Sequence, residues 1–207
     1  TKFIDLYQIH RWDYETPIKE TLIALDQLVK DKKVGHIGGS NMWTWQLAKS
    51  LWICNDLDLE RFETIQTHYN LCYREEEREM IPFCEDQNIS ILSYNPVAKG
   101  FLSGKYNRNT KNESIRFKTD PGLAAKFFKP EDFDVLDMVI QIANEKDVKP
   151  AQIAIAWLLT KTITSPIIGV TKKSHVEEAV DALDIKLTND DIKRLEEPYQ
   201  VHSIHHL

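Results

Sequence analysis

Phe3-Ile4-Asp5-Leu6-Tyr7-Gln8-Ile9-His10-Arg11-Trp12-Asp13 is an apolar, aromatic and branched run that stops on a histidine. Such a composition reads as a strand, which places His10 where the strand hands over to its loop. The residues that follow set the period. After Pro17, a good first-turn residue, Ile18, Leu22, Leu25, Leu28 and Val29 recur at helical spacing, and Lys30, Lys32 and Lys33 fall near the helix end, where cations suit the dipole.

The alternation continues along the chain. Strands are expected at residues 34–39, 63–67, 89–94 and 164–169, and helices at 43–53, 74–87 and 174–183. The run at 89–94 is nearly all apolar, as in strands buried on both faces of a parallel sheet. Five β/α units result, so the fold class is α/β around a parallel sheet. Between the fourth and fifth units, residues 100–130 are rich in Lys, Asn, Asp and Gly, a length of loop that is usually functional or mobile. Two helices, 131–146 and 150–160, follow it, each opened by a proline. The histidine-rich tail from Val201 to Leu207 has no nearby acidic or cysteine co-ligand and reads as a frayed terminus, not a metal site.

A chain of 207 residues with 42% apolar residues and no Gly/Ser or Pro-rich linker reads as a single domain over residues 1–207. The net charge of −6 argues against a nucleic-acid or anionic-membrane surface, both of which require clustered positive charge. A small-molecule partner fits better. Cys54, Cys72 and Cys84 are odd in number and widely spaced, which suits reduced thiols and makes the cytoplasm the expected compartment. No apolar run approaches the roughly 18 residues that span a bilayer. The chain opens on Thr1 without the layout of a signal peptide.

Several strand ends carry polar side chains. His10 reads either as a strand-end histidine satisfied by backbone or as a catalytic group on the face where β/α barrels build their sites. Ser40 and Asn41 follow Gly38-Gly39 and could cap a helix or hold a carboxamide. Tyr94 closes the fourth strand, an ordinary place for packing. No Gly-x-Gly-x-x-Gly, P-loop, nucleophile elbow or His-Glu-x-x-His is present, which removes the usual Rossmann, kinase-like, hydrolase and zinc-protease readings.

Asp5-Leu6-Tyr7-Gln8-Ile9-His10, Ile37-Gly38-Gly39-Ser40-Asn41, Ile65-Gln66, Ser93-Tyr94-Asn95-Pro96 and Ile167-Ile168-Gly169-Val170-Thr171 together resemble the aldo-keto reductases. These enzymes move a hydride between NADP(H) and a carbonyl on a (β/α)8 barrel, and the aryl-alcohol dehydrogenase and potassium-channel β-subunit branches look closest. The resemblance runs over residues 1–199. It implies that His10 orients the carbonyl and that Ser40, Asn41 and Gln66 clamp the nicotinamide carboxamide. Tyr94 would stack on the nicotinamide ring, while Asn95, Pro96, Val97, Ala98 and Lys99 would run along the pyrophosphate. Lys105 and Arg116 match basic positions used on phosphates. Gly169, Thr171, His175 and Glu178 match the element that takes the 2′-phosphate and adenine. Asn95 replaces a common Ser, His175 an Arg or Gln, and Ala179 a frequent Asn, so weaker adenosine binding is expected.

The family builds catalysis on a tyrosine, a lysine, an aspartate and the histidine. Only the histidine has a match here, so the chain corresponds to the last five β/α units and lacks the first three. Five units leave two strand edges unpaired. The flanks at residues 3–9 and 164–169 would then be exposed and could support self-association. The expected activity is reduction of an aldehyde or ketone, or oxidation of an alcohol, with NADP(H). A non-catalytic NADP(H)-binding or interaction protein derived from the same fold is the rival. No metal is expected.

Overall fold

The computed structural model describes residues 2–108 and 127–203. Arg116 lies outside the described residues. Five strands, β1 (Ile4–Gln8), β2 (Val34–Ser40), β3 (Phe62–His68), β4 (Ser90–Tyr94) and β5 (Ser165–Ile167), follow one another across one sheet in chain order. Among the described residues the helices are α1 (Ile18–Lys30), α2 (Thr44–Leu57), α3 (Met80–Gln87), α4 (Pro130–Glu145), α5 (Pro150–Leu158), α6 (Lys173–Asp181) and α7 (Asn189–Glu196). Sequential strands with intervening helices are the order of consecutive barrel units. The fold is therefore α/β, of the (β/α)8 type reduced to five units.

Two compact units divide the chain: Thr1–His68 with Glu76–Leu92, and Tyr69–Glu75 with Ser93–Ser203. In the first, β1 pairs with β2 and β2 with β3, both in parallel. Residues alternate across the sheet. Ile37 and Ile65 are buried on one face with Leu22, Leu25 and Leu47 of the helices, and Gly38, Ser40, Thr64 and Gln66 belong to the other. β1 has a single neighbour here, and Phe3, Ile4 and Tyr7 are exposed by 47, 46 and 41%. That is the exposed flank the sequence led us to expect.

In the second unit, α5 is apolar on nearly every side and all residues from Gln152 to Leu158 are buried, as expected of a central helix. Phe101 gathers Tyr106, Phe127, Phe128 and Phe133 at centroid distances of 4.9–6.3 Å. Pro130 opens α4, and Asp132 Oδ2 accepts from the Lys129 amide at 2.9 Å to cap it.

Two expectations, the helix at 74–87 and the frayed tail, are corrected. The helix expected at 74–87 is a short 3₁₀ turn, Glu75–Glu77, followed by α3 from Met80. Glu75 is buried and serves as an acceptor for the Tyr199 hydroxyl at 2.5 Å and the His202 amide at 2.9 Å, so this charge points inward. The region after residue 183 contains a helix, α7, opened by reciprocal bonds between Thr188 and Asp191 at 2.8 and 3.1 Å. Nor is the tail frayed as far as Ser203. His202 is buried, with Nε2 2.9 Å from Asp132 Oδ1 and Nδ1 3.3 Å from the Lys129 ammonium.

Candidate functional site

In the first unit the ends of β1, β2 and β3 are tied by side chains. β2 ends at Ser40, and Asn41 turns the chain with a left-handed φ of 48°, a conformation Asn tolerates better than most residues. The Asn41 amide group donates to the His10 carbonyl at 3.0 Å and to Ser40 Oγ at 3.0 Å. Ser40 is buried, and its hydroxyl donates to the Gln66 carbonyl at 2.9 Å, an oxygen that also receives the Asn41 backbone N–H at 3.3 Å. Gln66 Nε2 donates to Gln8 Oε1 at 3.2 Å, and Gln8 Nε2 to Thr64 Oγ1 at 2.8 Å.

Four residues singled out from the sequence, His10, Ser40, Asn41 and Gln66, therefore meet at one strand-end cluster. Their donors are largely spent inside the cluster. His10 joins the cluster through its backbone carbonyl, and the residue is exposed. Close by in sequence, Trp12 and Trp45 lie 5.9 Å apart in a tilted pair, and Gln46, which accepts from the Trp43 amide at 2.8 Å at the start of α2, donates to the Tyr14 hydroxyl at 3.3 Å.

The second unit carries the remaining candidates. Tyr94 ends β4 half-buried. Asn95 has φ 62°, its carbonyl accepts from the Ala98 amide at 3.0 Å, and its Oδ1 accepts from the Lys99 amide. The Gly100 amide goes to the Val97 carbonyl at 2.8 Å. The amides of Ala98, Lys99 and Gly100 are thus used within the turn after Pro96. The sequence reading missed Asn70, which is fully buried and donates to the Asn95 carbonyl at 3.0 Å while its Oδ1 receives the Cys72 amide at 2.9 Å. Its signal was only that it lies four residues beyond Gln66.

Lys105 is exposed after Gly104, whose φ of 78° is left-handed. Gly169 and Thr171 form an exposed turn before α6, with the Thr171 amide 3.5 Å from His175 Nδ1. Lys172 precedes α6 and Lys173 begins it, so charge sits with the helix dipole's positive end. Glu178 is held by Lys149 at 2.6 Å, and its carbonyl accepts from Gln152 at 3.1 Å. Its carboxylate is already engaged by Lys149, the residue that precedes α5. Among the described residues no cluster of His, Cys, Asp and Glu could hold a metal, and no helix is long and apolar enough to cross a membrane.

The geometry can be set beside known proteins. The aldo/keto reductase family pattern matches residues 1–200. The chain belongs to the aldo/keto reductase family. Versiconal hemiacetal acetate reductase of Aspergillus parasiticus is 38% identical over 98% of this chain and 59% of its own length. A Saccharomyces cerevisiae protein bearing an aryl-alcohol dehydrogenase name is 38% identical over 96% of this chain and 57% of its own. An aldo-keto reductase of Alternaria alternata is 35% identical over 97% and 53%. The chain thus spans somewhat more than half the length of these curated relatives.

Proposed function

We propose that the chain binds NADP(H) and serves carbonyl reduction or alcohol oxidation on an aldehyde, ketone or alcohol. The observation that carries this reading is the strand-end cluster of His10, Asn41, Ser40 and Gln66, tied by bonds of 2.9–3.0 Å. Its chemistry suits a primary carboxamide, because the Gln66 side-chain oxygen, with Gln66 Nε2 turned to Gln8, matches an amide –NH2. The cofactor, when bound, supplies the hydride. The protein's part is to fix the nicotinamide face and to stabilise the oxygen's charge.

In this reading the Asn41–Ser40–Gln66 set orients the carboxamide, Tyr94 covers the ring and His10 donates to the substrate oxygen. Lys99, Lys105 and Arg116 balance phosphate charge. The turn Gly169–Thr171, with His175 and the N-terminus of α6, takes the 2′-phosphate end, where Lys172 and Lys173 favour NADP over NAD. The relatives bear reductase and dehydrogenase names, which favours catalysis over a non-catalytic binding role. Support for an aryl substrate comes from the pair of Trp12, in the loop after β1, and Trp45, in the first turn of α2. The exposed apolar residues of β1 and β5, among them Ile4, Tyr7 and Ile167, support self-association.

NADPH titration followed by protein fluorescence tests the cofactor reading. Asn41→Ala and Tyr94→Ala should each weaken binding by about tenfold, the equivalent of roughly 1.4 kcal/mol. A folded chain that binds no NADPH at millimolar concentration refutes it. Light scattering that finds a monomer over a wide concentration range refutes the self-association.

A further inference from the structure

Gln8 and Thr64 play no part in the assignments above, yet their side chains form a hydrogen-bonded series that ends on Gln66. The register places Gln8, Gly38 and Thr64 in one row across β1, β2 and β3, and Ser40 and Gln66 in the next row on the same face. A β2 side chain would ordinarily stand between the other two strands. Gly38 has none, and a Cβ there would lie 2.2 Å from Thr64 Oγ1 and 3.1 Å from Gln8 Nε2. The missing side chain is therefore the condition for the 2.8 Å bond that crosses β2 from Gln8 to Thr64.

A glutamine amide has two ends of opposite hydrogen-bonding sense, and a half-turn about its last torsion exchanges them. Neighbours decide which end faces a ligand. Here the Thr64 hydroxyl receives Gln8 Nε2, which leaves Gln8 Oε1 to receive Gln66 Nε2 at 3.2 Å. Gln66 is thereby held with its –NH2 towards Gln8 and its oxygen on the other side.

We propose that Gln8 and Thr64 are positioning residues that lock the Gln66 amide with Oε1 as the acceptor for the –NH2 of a nicotinamide carboxamide. The purpose rests on the cofactor reading given above. The geometry of the relay does not, so the two are tested separately.

The first arm uses the full chain without ligand. In ¹H–¹⁵N spectra the side-chain amide pair of Gln66, identified by its loss in Gln66→Ala, should move in Gln8→Leu and in Thr64→Val. Gln8→Glu should keep it near the wild-type position, since a carboxylate accepts from Gln66 and the Thr64 hydroxyl turns to donate. The second arm compares NADPH with 2′,5′-ADP, which lacks the nicotinamide. Gln8→Leu should weaken NADPH by about two- to tenfold, the range of one hydrogen bond, and leave 2′,5′-ADP unchanged. A folded Gln8→Leu with an unmoved Gln66 amide overturns the relay. Equal weakening of both ligands overturns the positioning role. If the wild-type chain binds no NADPH, the purpose falls with the cofactor reading, and the spectra still decide whether Gln8 and Thr64 orient Gln66.

Discussion

Replacing His202 by alanine should destabilise the second unit by about 3 kcal/mol. The side chains of His202 and Asp132 are exposed by only 2 and 1%, and Nε2 lies 2.9 Å from Oδ1. Truncation leaves the Asp132 oxygen buried with one partner fewer. An unsatisfied buried polar group costs about 1–3 kcal/mol. Asp132 keeps the Lys129 amide on its other oxygen, and the His202 amide keeps Glu75. The loss should therefore fall at the upper end of that range, because His202 is itself buried and its packing goes with the bond. With a urea dependence of roughly 2–3 kcal/mol per molar for a chain of this size, the midpoint should drop by about 1 M. The fluorescence of buried Trp157 is a suitable probe. Asp132→Ala should cost about 1 kcal/mol more than His202→Ala, because it also removes the cap of α4. A midpoint that moves by less than about 0.2 M in His202→Ala, the error of such measurements, would refute the anchoring of the tail by this pair.

Other tests follow from the charges and thiols. Hydrogen bonds from Arg194, and then Gln141, hold the Glu145 carboxyl down at about 2. A lowered folded-state value contributes stability that is present above the ordinary value of 4.5 and is lost as pH falls towards 2, so Glu145→Gln should flatten the acid limb of a stability curve in that window. An unchanged limb would show that the pair with Arg194 is not formed in solution. Burial pushes the Cys54 thiol to about 11 and the Cys84 thiol to about 12, and it raises Cys72 well above its ordinary value. All three should react slowly with a thiol reagent at pH 8 until urea is added; a rapid equivalent in the native chain would contradict this burial. Glu196 receives Trp157 Nε1 at 2.9 Å and Arg74 at 3.2 Å, with Lys161 bound to the same carboxylate. Glu196→Gln should lower the thermal midpoint by a few degrees, and less in high salt, because the group is partly exposed.

The strand-and-helix alternation was legible because each period is written locally. Ile37 and Ile65 alternate with glycine and polar residues, and Leu22 and Leu25 recur on the buried side of α1. The caps were legible where proline marks the first turn, as at Pro130 and Pro150. Legibility failed where a polar residue had a distant partner. Glu75 looks like part of an exposed charged helix, and only the chain's return as Tyr199 and His202, more than 120 residues later, gives its carboxylate a reason to be buried. His202 looks like one of several tail histidines until Asp132 is found beside it.

The same distinction separates the site residues that were found from those that were missed. Ser40, Asn41 and Gln66 were singled out through a family resemblance, and the structure ties them together by bonds that no sequence period encodes. Gln8 and Thr64 are 56 residues apart and became partners only through the parallel register of three strands. Their signal is the glycine between them. A glycine inside a strand normally weakens it, so Gly38 invites the question of what passes over the space it leaves. Restoring a side chain is the sharpest check on that reasoning. Gly38→Ala should disrupt the Gln8–Thr64 bond at once, since the added carbon would overlap Thr64 Oγ1. The Gln66 amide signals should then move as they do in Thr64→Val. Combining Gly38→Ala with Thr64→Ala removes the oxygen that the new carbon meets, and should recover stability without recovering the Gln66 position. If the double variant recovers both, the glycine serves packing alone and the relay has no part in holding Gln66.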